Sequence, residues 1–276
     1  DRARHYLADD LRGHPPLQTQ LDAARTAVHD GARGGNDLYR RWLGAVLALG
    51  APPRGVVPTF MRGPAWEDFR MNSALVGFAQ IRHNYVLLAG QGYDAYGCEI
   101  PDGYVEPAVE VYDALIEFVR AAQALDRGQA AYLARVMRVL RTLRTIAATE
   151  REGRPLTEAQ RRWLGMVAEY APAGGYSGDS GEPPKWTGWY FDLFPDREIG
   201  AEKAADFVAD YFTLTNAGEV RYLGAETPRM AAFVVDTGGA PRVMVGPVAR
   251  GYELASPIDG RLDDESARTA PGHSAP

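Results

Sequence analysis

The chain has 276 residues, of which 46% are hydrophobic and 24% charged, and a formal net charge of −6. That length suits one large or two modest domains with a substantial core, and the negative balance excludes a broad electrostatic footprint for nucleic acid, which needs concentrated positive charge. A single cysteine, Cys98, excludes an intramolecular disulfide framework and a cysteine-based zinc cluster, and no apolar run is long enough to predict a membrane span.

The opening DRARHYLADD has no methionine and reads as the middle of a helix, as in a processed product or a part cut from a longer chain. Residues 1–172 read as helical, with apolar residues at three and four spacing and short Gly or Pro breaks. A helix from about Ala65 to Gly90 is apolar almost all round yet carries Asn72, Gln80 and His83 within one broad face. Between Gln129 and Thr149, Tyr132, Val136, Val139, Leu140, Leu143, Ile146 and Ala147 form an apolar stripe opposite Arg135, Arg138, Arg141 and Arg144. Such an arginine row usually forms a solvated or ion-paired face. Thr157 stands three residues before Gln160, the spacing of a capping box.

The segment 173–188 is rich in Gly, Pro and Ser and reads as a connection. Beyond it the period changes. Strands are expected at Asp206–Thr215, Glu219–Gly224, Met230–Asp236 and Arg242–Val248, with Asn216-Ala217-Gly218 and Thr237-Gly238-Gly239 as turns of two hairpins. Apolar periodicity stops after Leu262, so residues 263–276 read as a disordered tail. The expected class is α+β: a mainly helical region 1–172, the connection 173–188, a small antiparallel β region 189–262 and the tail.

Three stretches resemble the DUF3160 family, a bacterial family of unknown function: RMNSALVGFAQIRHN at 70–84 with GYVEPAVEVYDAL at 103–115; WYFDLFPDRE at 189–198 with VADYFT at 208–213; and GPVARGYE at 246–253 with GRLDDE at 260–265. Their order and spacing resemble that family, and its carboxy-terminal portion in particular, across most of the chain. None is a catalytic signature. Family members are typically longer and often look exported, so the resemblance implies an extracytoplasmic location and a possible partner in a missing amino-terminal portion or a second chain. The family pattern has Asp where this chain has Asn84, and His where it has Phe212. Both differences remove a potential ligand or base.

Two functional classes stay open. In the first, His83, Glu106 and Asp210 form a catalytic cleft of an extracytoplasmic hydrolase, with metal dependence undetermined. Against it, His83 can serve as a hydrogen-bonded core residue, Glu106 before Pro107 can cap a helix, and Asp210 can pair with an arginine. Cys98 is followed by Glu99, which disfavours a thiolate nucleophile. In the second class the chain is a non-catalytic binding or scaffold module. Its ligand-binding candidates are Arg70, Asn72 and Gln80 on the helix, and Trp186, Trp189 and Tyr190 beside the connection. The run WYFDLF also reads as an apolar plug folded back on the core. No cofactor is indicated by any motif.

Overall fold

Local chemistry fixes where the helices begin. In the computed structural model, which describes residues 2–35, 37–84, 103–171, 185–195, 206–235 and 240–269, two short helices, α1 (Arg2–Tyr6) and α2 (Ala8–Gly13), precede α3 (Pro15–Arg33). α3 opens on prolines, which lack only an N–H that the first turn leaves unpaired. α4 (Leu38–Gly50) is capped by Asp37, whose carboxylate accepts from the Arg40 N–H at 2.9 Å. α5 (Pro64–Asn84), α6 (Val109–Leu125), α7 (Ala130–Arg151) and α8 (Glu158–Gly165) follow. The predicted capping box starts α8: the Gln160 side chain accepts from the Thr157 N–H, and the Thr157 hydroxyl from the Gln160 N–H.

The predicted stripe on α7 is its inner face. Val139 is buried, Leu140 packs against Ile116 and Val119 of α6, and Ile146 and Ala147 pack against Val105 and Leu164. The arginine row divides by neighbour: Arg144 pairs with Asp113 at 2.9 Å, Arg135 lies 3.7 Å from Asp192, and Arg138 and Arg141 face solvent.

Two short strands, β1 (Glu169–Ala171) and β2 (Lys185–Thr187), follow the end of α8 at Gly165 and pair antiparallel. The main sheet is an antiparallel meander of β3 (Phe207–Leu214), β4 (Glu219–Val235) and β5 (Arg242–Pro257), in that spatial order. Gly218, at φ +65°, supplies the turn between β3 and β4; the second predicted turn, at 237–239, lies outside the described residues. Where two hairpins are expected, β4 instead runs on past Gly224. The interruption, Thr227-Pro228, falls at a register shift between Glu226 and Arg229, where a bulge accommodates the proline without ending the strand.

The start of the expected tail is also ordered. Asp264–Thr269 form α9, Ala267 is 1% exposed against Val208 and Tyr252, and Asp264 accepts from the Val208 N–H at 2.8 Å. Asp263 and Ser266 supply a side-chain cap that the loss of apolar periodicity concealed. The overall class is α+β, as expected.

α5 joins the two regions. It packs on α4 along one side and on β3, β4 and β5 along the other, which is why its apolar residues surround the helix instead of forming a stripe. Ala79 is fully buried among Phe207, Leu223 and Ala225. On the α4 side, Gly77 allows close approach: a Cβ there would lie 3.2 Å from Leu49 and 3.3 Å from Val46. Trp42 reinforces the crossing by donating to the Gly77 carbonyl at 3.0 Å.

Candidate functional site

Charged groups gather where α4, α5, α6 and α7 meet. Arg70 on α5 is 6% exposed, and its guanidinium donates to the Ala48 and Leu49 carbonyls at the end of α4. Those carbonyls are the ones a helix leaves without partners, and a cation there also suits the negative end of the helix dipole. The third nitrogen of Arg70 lies 4.0 Å from Glu106. Burial pushes the Arg70 guanidinium down, opposed by Glu106 and Glu110. Burial likewise raises the Glu106 carboxyl, opposed by Arg70.

Beside this pair, Arg151 on α7 donates to both oxygens of Glu110 on α6 at 2.8 Å. One residue earlier on α7, Glu150 is 1% exposed and accepts from the Val105 N–H at 3.2 Å through each oxygen. Burial pushes its carboxyl up to about 8, the Val105 N–H acting the other way. At neutral pH it is therefore mainly protonated, the cheaper form in an apolar surround. Tyr112 is also raised, first by burial and then by Glu106 and Glu150. Glu150 ties α7 to the backbone just before Glu106-Pro107, so it holds the segment that carries Glu106.

Of the predicted catalytic set, Glu106 belongs to this junction, whereas Asp210 stands on β3 and accepts from Arg261 at 2.6 Å. The two carboxylates face different arginines. His83 falls on the last turn of α5, but its side chain, like that of Asn84, lies outside the described residues. Among the described residues no group of three His, Cys, Asp or Glu side chains is placed to hold a metal ion.

The predicted ligand-binding residues have internal partners. Arg70 closes α4, as above. Asn72 clamps α5 to β5: its amide donates to the Ala249 carbonyl and accepts from the Gly251 N–H, both at 2.9 Å, taking the place of a neighbouring strand on that edge. Gln80 is half-buried and engaged. Trp189 and Tyr190 belong to a 3-10 turn, Trp189–Leu193, that docks on the helices. Trp189 stacks on Trp163, with ring centroids 4.7 Å apart and planes 6° apart, and donates to the Trp163 carbonyl at 3.0 Å. Phe191 is 4% exposed, the arrangement expected of a plug. Trp186 lies on β2 with its side chain outside the described residues, as are Cys98 and Tyr176.

A feature not predicted lies at the far end of the sheet. Beyond the bulge, β4 and β5 form a two-stranded ribbon, since β3 pairs with β4 only as far as Ala225. Directly paired residues of antiparallel strands share a face. Phe233, opposite Met244, faces inward and meets Phe60 and Phe69 edge-on at 6.1 and 5.9 Å. On the other face Met230 lies opposite Pro247, Ala232 opposite Val245, and Val234 opposite Val243. Met230, Val234, Val243 and Val245 are 67%, 59%, 65% and 62% exposed. The sequence did carry the signal: MAAFVV and VMVGPV are apolar at every position, so no register leaves either face polar.

A family model described as protein of unknown function (DUF3160) matches residues 1–270. No curated protein and no solved structure matches the chain.

Proposed function

The chain belongs to the DUF3160 family, whose description assigns no activity, and on that premise we propose that it is a non-catalytic binding or scaffold module. Its contact surface is the outer face of the β4–β5 ribbon. The observation that carries this is the uninterrupted apolar face of Met230, Ala232, Val234, Val243, Val245 and Pro247, exposed although the opposite face is packed on aromatic side chains. Side chains of this kind cover an area on the order of a few hundred Å², the size that marks contact sites on soluble proteins.

The occupant is a second copy of the chain. A face with no charge and no hydrogen-bonding side chain is complementary to itself, and a two-fold contact places the same face on both partners. Two such faces together bury roughly 1,000 Å², the lower bound of specific interfaces, so the association is weak and concentration-dependent. An extracytoplasmic location is part of the proposal and draws on the exported character of the proteins that the sequence resembles. So is a division of labour along the chain, in which residues 1–172 form a support and residues 189–262 the contact region.

Sedimentation velocity over a wide concentration range tests the self-contact: wild-type protein shifts toward a dimer, and Val245→Glu stays a monomer with an unchanged melting temperature. A wild-type monomer at every concentration, or a dimer indifferent to Val245→Glu, overturns it. The enzyme reading, a hydrolase using His83, Glu106 and Asp210, gains its main support from the raised carboxyl of Glu106. It is weakened by the separate arginine partners of Glu106 and Asp210.

A further inference from the structure

A cleft of about 280 Å³ lies between α3 and α4, remote in function from the ribbon and independent of the reading given to it. His29 and Arg33 line it from α3, Gly44 and Leu47 from α4, and Arg54 closes the end where α4 gives way to a Pro-rich segment. Arg70 reaches it from α5. Two observations set the cleft apart from an ordinary groove. The first is charge. Arg70 is committed to the carbonyl end of α4, and Glu110, the acidic side chain at the cleft, is paired with Arg151. Among the described residues Arg33 and Arg54 have no carboxylate partner. The cleft therefore carries uncompensated positive charge in a chain whose net charge is −6.

The second observation is Gly44. Glycine is a poor helix former in the interior of a helix, and neither a turn nor a close contact requires it here, because a Cβ at this position would meet nothing within 4 Å. What its absent side chain does is leave the cleft open.

We infer that this cleft binds a small organic carboxylate, the apolar body lying over Leu47 and Gly44 and the carboxylate gripped by the guanidinium forks of Arg33 and Arg54. Planar guanidinium groups match a carboxylate with two parallel hydrogen bonds. A phosphate is the poorer fit, since the lining is mainly apolar and its acidic side chain, Glu110 on the first turn of α6, opposes a dianion more strongly than a monoanion. The volume is below that of a drug-sized site, which limits the ligand to a small molecule.

Isothermal titration calorimetry of the intact chain with hexanoate tests this, with acetate and 1-hexanol as the polar and apolar halves of the probe. Hexanoate is expected to bind saturably and at least about tenfold more tightly than either half. Arg33→Gln and Arg54→Gln, both at exposed positions, are each expected to weaken it about tenfold or more, the range for a charge-assisted hydrogen bond. Gly44→Leu fills the cleft and removes binding, while the melting temperature holds or rises. Failure of hexanoate to bind overturns the inference, as do equal affinity for 1-hexanol and indifference to both arginine variants. Retained binding in folded Gly44→Leu places the ligand elsewhere and overturns it too.

Discussion

The helical region buries charge, while the β region exposes apolar surface; each departs from the usual distribution in the opposite direction. Inside the helices three of these departures have a local use. Arg70 satisfies the end of α4, Glu150 holds the segment before Glu106, and Glu110 and Arg151 neutralise each other. On the ribbon, Met230, Val234, Val243 and Val245 stand largely exposed among the described residues. A buried charge with its partners present explains itself within the chain; a bare apolar face does not, and points outward.

Removing Arg70 should break the comparison most severely. Arg70→Met leaves the last carbonyls of α4 and the Glu106 carboxylate without their cation, and should cost about 3–5 kcal/mol in urea unfolding. Less than about 1 kcal/mol would mean that the buried charge is not structural. Glu150→Gln comes next and sharpens the same side. With its folded carboxyl near 8 and an ordinary value near 4.5, the native state holds the extra proton between those limits. Wild-type stability is therefore full below about pH 4.5 and declines as pH rises toward about 8, by roughly 5 kcal/mol. Gln retains the acceptor for Val105 without titrating, so its unfolding free energy should be flat over that window; a parallel decline would assign the pH dependence to other groups.

Asn72→Ala removes two hydrogen bonds between α5 and the β5 edge, with an expected loss of about 1–3 kcal/mol and faster amide exchange at Gly251. Unaltered exchange there would show that the clamp is dispensable. The smallest effect is expected on the ribbon: Val243→Thr changes monomer stability by less than about 0.5 kcal/mol, although the same substitution in a packed core would cost far more. A large loss would mean that the outer face is covered within the chain.

Much of this architecture was legible because the relevant signals are local. The Thr157 and Gln160 box, the α7 stripe and the Gly218 turn depend on neighbours a few residues apart. Glu150 was also within reach, since it continues the stripe of Leu143, Ile146 and Ala147 by one turn and so had to be buried. The separate duties of Glu106 and Asp210 were not legible: their partners Arg70 and Arg261 are 36 and 51 residues away in sequence, and nothing local selects them. The same holds for Asn72, whose partners lie 177 and 179 residues on. For α9 the error was one of period, because a six-residue helix anchored through Ala267 and Asp264 has too short an apolar face to register.

Charge exchange across the ribbon tests the central claim most directly. Sedimentation velocity would compare Val245→Glu, Val245→Lys and their equimolar mixture with the wild-type chain. The face-to-face contact predicts that each variant alone is a monomer and that the mixture regains association, because opposite charges then meet across the two-fold contact. Identical sedimentation of both variants, the mixture and the wild-type chain would contradict it.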